Sequence, residues 1–138
     1  MEWNEKLATG IPKIDQGLKA IVSKLNIIHD LDVSKLDEAA IERVIRFFGR
    51  HVIESFDVEE EYMLKNAYPK YDEHKAQHMQ FLKNFAMLKK LFSEEKNPSL
   101  MIMVIEYEYL NWLIKHIQTF DQEMASFLIS RSSKSPGQ

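Results

Sequence analysis

An all-α fold, a four-helix bundle of up-down-up-down topology with an N-terminal arm and a short C-terminal helix, follows from three features of this sequence. Apolar residues recur every three or four positions through four long stretches, and only four glycines and four prolines interrupt the 138 residues. No segment alternates polar and apolar residues as a half-buried strand would. With 45% hydrophobic content the chain suffices for one ordinary domain and one core. A domain of this size hides roughly 70% of its unfolded surface, so it needs no cross-link or metal merely to be stable.

The elements follow in order. The first eleven residues read as an arm containing Trp3, and Pro12 then opens a helix over about 12–29 whose Ile14, Leu18, Ile21, Leu25 and Ile28 form one apolar face. A DLDVSK linker leads to a second helix over about 36–65, where Ile41, Val44, Ile45, Phe48, Val52, Ser55, Phe56, Glu59 and Met63 share a broad stripe. Ser55 and Glu59 are the polar members of that stripe. After NAYP, a third helix over about 70–92 places His74, His78, Phe81, Phe85 and Leu88 along one side. The SEEKNPS loop then gives way to a fourth helix over about 100–117, a bend, and a short terminal helix over about 121–129. Residues 1–131 are expected to form the bundle and 132–138 a disordered tail.

Composition excludes several classes of function. There is no cysteine, which removes disulfides, thiolate ligands and thiol catalysis, so metal chemistry here must use histidine and carboxylates. Acids and bases are interspersed to a net charge of −3, with no basic stripe able to neutralise a run of phosphates, so nucleic acid is not an expected partner. The N-terminus MEWNEKLATG lacks the apolar core of a signal peptide, and Glu106, Glu108 and Asn111 interrupt the longest apolar stretch, so a cytoplasmic protein without a membrane span is expected. No nucleophile, general-base pair or phosphate loop points to an enzyme.

The chemistry concentrates in a few positions. His74 and His78 form HxxxH, a spacing that stacks two imidazoles on adjacent turns where both reach one ion. The apolar rhythm continuing through Phe81 and Phe85 points this pair inward. His116 follows WLIK near the end of an apolar helix, Asp121 follows IQTF, and Glu59 opens the carboxylate side of the set. Three imidazoles and two carboxylates at comparable depth need a common explanation. Burying two unpartnered carboxylates costs several kcal/mol each, and a divalent cation compensates it. Nitrogen and oxygen donors suit iron, manganese or zinc. His29 lies at a helix end, where a cation suits the dipole, and His51 reads as a core-edge residue outside the main set.

GIPKID on the first helix, SFDVEEEYM on the second, YPKYDEHKAQHMQF on the third and WLIKHIQTFD on the fourth, with a tryptophan near the N-terminus, resemble the bacterial hemerythrins over almost the whole chain. The resemblance implies a hemerythrin-like bundle around a non-haem di-iron centre that reversibly binds dioxygen. It implies one iron held by three histidines, carried here by His74, His78 and His116, and bridges carried by Glu59 and Asp121. The two histidines that the family uses on the other iron fall on Leu18 of IDQGLK and on Ser55 of SFDVEE. Neither residue offers a nitrogen. One ion is therefore expected rather than two, iron first and another divalent metal second, with a small diatomic ligand such as dioxygen or nitric oxide. Three readings follow in order: a mononuclear site that binds or senses such a ligand, a metal-independent binding or signalling module, and an unusual dinuclear site completed by water or by His51, Glu54 or Asp57.

Overall fold

The computed structural model describes residues 3–133 and, within them, every side chain except those at 33, 132 and 133. Four long helices form an up-down-up-down bundle around one core, and no strand occurs among the described residues. The arm is held rather than loose. Leu7 and Thr9 are buried, the backbone N–H groups of Thr9 and Gly10 and the Thr9 hydroxyl all donate to the Asp15 carboxylate, and Gln122 Nε2 donates to the Ala8 carbonyl at 2.9 Å. Gly10 sits at φ +86°, a left-handed turn that favours glycine.

The first helix spans Pro12–His29 and buries Ile14, Leu18, Ile21, Val22, Leu25 and Ile28. The second spans Glu38–Lys65, two residues later than its apolar rhythm suggests, because Asp37 is the N-cap and accepts from the Ala40 N–H at 2.7 Å. The third spans Tyr71–Glu95 and runs three residues into the expected loop. It stops at Lys96, which turns to φ +50° and returns its N–H to the Phe92 carbonyl. Asn97 then caps the fourth helix, with Pro98 at its first position.

That fourth helix, 98–133, is continuous. Its α-helical stretches Pro98–Val104, Leu110–His116 and Gln122–Ser133 are joined by π turns at Ile105–Tyr109 and Ile117–Asp121. The bend expected near 117–121 is thus the second π turn, and the C-terminal helix continues from it with helical dihedrals. The cause is in the spacing. Ile105, Tyr109, Leu113, Ile117 and Asp121 are all buried and step by four. At about 100° per residue each such step overshoots an α-helical turn by about 40°, so the stripe would drift by roughly 160° off the core. Each π turn takes in one extra residue and rotates the stripe back. Helix continues to Ser133, and the rest of the expected tail, 134–138, lies outside the described residues.

The apolar half of the core is built on aromatic contacts. Phe48 packs on Phe81 and Phe85, and Phe81 stacks on Phe85 and meets Tyr109 edge-on. Gly49 is what lets Phe85 lie this close to the second helix, since a Cβ there would stand 2.6 Å from Phe85 Cε1. Gly49→Ala gains up to about 1 kcal/mol in helix propensity. It also forces that ring out of place at about 1–3 kcal/mol, so we expect a net loss, read as a lower urea midpoint with an unchanged m-value.

Candidate metal centre

Three helices supply the five polar side chains found at one end of the core. Glu59 lies on the second helix between Phe56 and Met63, on the stripe that is otherwise hydrocarbon. His74 and His78 occupy adjacent turns of the third helix, in line with Phe81 and Phe85. His116 immediately precedes the second π turn of the fourth helix and Asp121 is its last residue. Five residues of straight α-helix would rotate them roughly 140° apart, and the wider turn brings both to the same face.

The five are as buried as any residue in the protein, between 0% and 2% exposed. Each offers one donor atom, and these atoms lie within 4.8 Å of one another. Glu59 Oε1 is 3.1 Å from Nε2 of both His74 and His78 and 3.8 Å from Nε2 of His116. Asp121 Oδ1 is 3.1 Å from Nε2 of both His74 and His116, and the Nε2 atoms of His78 and His116 are 3.2 Å apart. Donors about 2.1 Å from one ion and separated by 90–110° lie roughly 3.0–3.4 Å from each other. Five of the edges, at 3.1–3.2 Å, match, and the Glu59–His116 edge at 3.8 Å is wider.

Hydrogen bonding alone does not account for the cluster. Neither oxygen of Asp121, nor Glu59 Oε2, has a hydrogen-bond partner, although Asp121 Oδ1 stands close to two ring nitrogens. Those contacts are near but not aligned. A cation needs no such alignment, so the donor set fits a divalent transition metal of the nitrogen- and oxygen-loving kind.

The surroundings fix the rings. Glu60 Oε2 is 3.0 Å from His78 Nδ1, an outer carboxylate that holds the proton on that nitrogen and leaves Nε2 facing the cluster. Phe56 stacks on His78 at 3.8 Å, and Trp112 and Phe120 stack on opposite sides of His116 in sequence, at 4.6 and 5.6 Å. These rings keep water out and keep the local dielectric low.

Burial by itself would raise the Glu59 carboxyl, but its contacts with the His116, His74 and His78 rings outweigh it and hold the group well below the usual carboxylate range. Asp121 goes the other way, raised by burial and by the Glu59 charge, which its histidine contacts only partly offset. Burial would lower His116, yet Asp121 and Glu59 push it up to about 9, and His74 is raised by the same pair. The two carboxylates share one positive demand, and without a metal they favour the protonated forms of His74 and His116.

No family model matches the chain. It is 32% identical over 125 residues to a bacteriohemerythrin of Stenotrophomonas maltophilia (strain R551-3), covering 89% of this chain and 78% of that one. The chain belongs to the bacteriohemerythrin family. Another bacteriohemerythrin, of Pseudomonas paraeruginosa (strain DSM 24068 / PA7), is 30% identical over 121 residues, covering 86% of this chain and 75% of the relative. A third, of Aquifex aeolicus (strain VF5), is 29% identical over 108 residues, covering 75% and 79%. The crystal structure of a wild-type hemerythrin superposes with a TM-score of 0.78 at 25% identity, over 93% of this chain and 97% of that one. Fold and cluster together make this a hemerythrin-like metal-binding protein.

The two positions on which the resemblance places further histidines lie in the core without joining the cluster. Leu18 is 1% exposed and packs in the core, and Ser55 is buried with its hydroxyl unpartnered. His51 is half-buried and stacks on Phe47, while Glu54 and Asp57 are exposed, so none of the three joins the cluster. His29 is exposed, with Nδ1 3.1 Å from Glu106 Oε1. Sequence reasoning passed over Glu60 as one of a run of acids, and over the aromatic walls. The signal for the latter was present, since Trp112 and Phe120 lie four residues either side of His116.

Two outcomes follow. A metal needs Nε2 of His116 unprotonated, and that ring keeps its proton up to about pH 9, so uptake at pH 7 should release protons. Apparent affinity should then fall by roughly tenfold per pH unit for each proton displaced as pH drops below 9. Titration calorimetry in buffers of differing ionisation enthalpy measures the release, and buffer-independent heats would contradict it. Secondly, His78→Ala should abolish tight metal binding and His29→Ala leave it intact, in equilibrium dialysis of both variants side by side.

Proposed function

We propose that this bacteriohemerythrin is a cytoplasmic non-haem iron protein holding one iron per chain on Glu59, His74, His78, His116 and Asp121. Its role is to bind or sense a small diatomic ligand rather than to turn over a substrate. The observation that carries the reading is the convergence of three Nε2 atoms and two carboxylates in the buried core, with both Asp121 oxygens and Glu59 Oε2 left without a hydrogen-bond partner. Iron held there supplies a coordination position for dioxygen or nitric oxide. The chain's own groups do the rest. Glu59 and Asp121 balance the ion's charge, Glu60 orients His78 through its Nδ1 proton, and Phe56, Trp112 and Phe120 exclude water from the ring faces.

A single ion is favoured over a pair because the first helix faces the core with Leu18 and the second offers only the Ser55 hydroxyl. A metal-independent module is the second reading. It is favoured by the 3.1 Å contacts of Glu59 Oε1 with Nε2 of His74 and His78, which tie the second and third helices directly with no ion between them.

Elemental analysis of protein purified from iron-replete cells should give close to one iron per chain, without the absorption of an oxo-bridged pair. Two irons per chain would show that another ligand set completes a second site, and none under any loading condition would favour the metal-independent reading. Leu18→His should destabilise the metal-free protein, by about 1–3 kcal/mol for an unsatisfied buried polar ring. Combined with Ser55→His, it should permit a second iron and regain part of that loss, because binding to the folded state stabilises it. A well-folded double variant that still holds one iron would show that nitrogen donors at these two positions do not face the cluster.

A further inference from the structure

Three of the chain's four arginines, Arg43, Arg46 and Arg50, fall within eight residues of the second helix, and none belongs to the metal cluster. Their spacing of three and then four places them on one face over about 10 Å of helix axis. All three are exposed. Glu42 and Glu54 stand four residues from Arg46 and Arg50, yet none of the arginines forms an ion pair among the described residues, where Lys35, Lys65, Lys70, Lys75 and Lys96 each do.

Apolar surface lies beside these charges. Phe47 is 51% exposed between Arg43 and Arg50, with Lys24 from the first helix 5.1 Å over its ring, and Ile27 nearby is 53% exposed. Phe47 and Arg43 also form the shared wall of two adjoining hollows. One, of about 200 Å³, is lined by Arg43, Arg46, Phe47 and Arg50. The other, of about 290 Å³, reaches between the first helix, the linker and the second helix, with Ile28, Leu31, Leu36 and Val44 in its walls.

We propose that this face docks an acidic amphipathic helix of another protein, one large apolar side chain entering the 290 Å³ hollow and a row of carboxylates lying along the arginines. Four observations select that occupant. The hollow is at the lower limit of small-molecule sites, so it takes one anchor side chain rather than a cofactor. The cations are spread over two helical turns, which suits charges distributed along a helix and not a single headgroup. The pairing of arginine with an exposed aromatic, with lysine subordinate, is the composition of protein interfaces. Finally, the positive face is local on a chain of net charge −3, so an extended anionic surface would meet repulsion from the remainder.

The test uses the full chain and a fluorescein-labelled helical peptide built on alanine, carrying three glutamates at spacings of three and four around one leucine. Its anisotropy should rise saturably with protein and fall with added salt. Arg43→Glu, Arg46→Glu and Arg50→Glu combined should weaken binding by about tenfold or more, and a lysine version of the peptide should bind that variant in preference to the wild type. Phe47→Ala should weaken binding several-fold with far-ultraviolet circular dichroism unchanged. Equal binding of the glutamate peptide by wild type and charge-reversed variant overturns the proposal. So does arginine-dependent binding of phosphatidylglycerol vesicles when the peptide fails to bind, since the face would then be a membrane contact.

Discussion

Two carboxylates buried in the low-dielectric end of a helical bundle are the constraint on which the rest of this structure depends. Glu59 and Asp121 are fully buried, and their mutual repulsion adds to the cost of desolvating each. An unpaired charge in that position costs several kcal/mol, a large share of the stability of a domain this size. Positive charge must therefore be placed within contact distance. The three histidines do this, and their geometry suits a single cation as well as a pair of protonated rings. The aromatic walls reinforce the demand, because by keeping water away they strengthen every charge interaction within.

The architecture of the fourth helix follows from that demand. His116 and Asp121 must both face the cluster while Tyr109, Leu113 and Met124 stay in the core, and no straight α-helix satisfies a run of four-residue steps. Two π turns reconcile them. One follows His116 and ends at Asp121, and the other lies upstream, where Tyr109 meets Phe81 and donates to the Asn84 carbonyl at 2.9 Å. Packing and site thus share one device, which is why the second π turn coincides with the cluster rather than with a loop.

Much of this was legible in residue spacing, and what was not has identifiable causes. The i, i+4 pair His74 and His78 sits in register with Phe81 and Phe85, so its inward orientation could be read directly, and Glu59 shares a stripe with Phe56 and Met63. Helix ends were displaced where side chains decided them, at Asp37 and Asn97, whose capping bonds outweigh the apolar rhythm. The bend expected after 117 was a misreading of period. Steps of four break an α-helical pattern, and a π turn absorbs them without leaving the helix. Glu60 was hidden for another reason, since a carboxylate in an acidic run is usually solvated, and only the approach of the third helix brings it to His78 Nδ1.

The first helix serves packing and supplies no residue to the cluster. All five cluster residues come from the other three helices, and the six residues it buries are hydrocarbon throughout. Where it crosses the second helix, Gly17 and Ser55 are both small, and a Cβ on Gly17 would lie 3.3 Å from Ser55 Oγ. That crossing is close because nothing large has to fit between the helices. Burial of Leu18 contributes about 1.5–3 kcal/mol to the fold, where a histidine in the same place would need a partner for its ring nitrogens. Hydrocarbon at position 18 and small residues at this crossing therefore act together: Leu18 packs as core, and Gly17 and Ser55 let the two helices approach, so this side of the bundle is held by packing in the metal-free state.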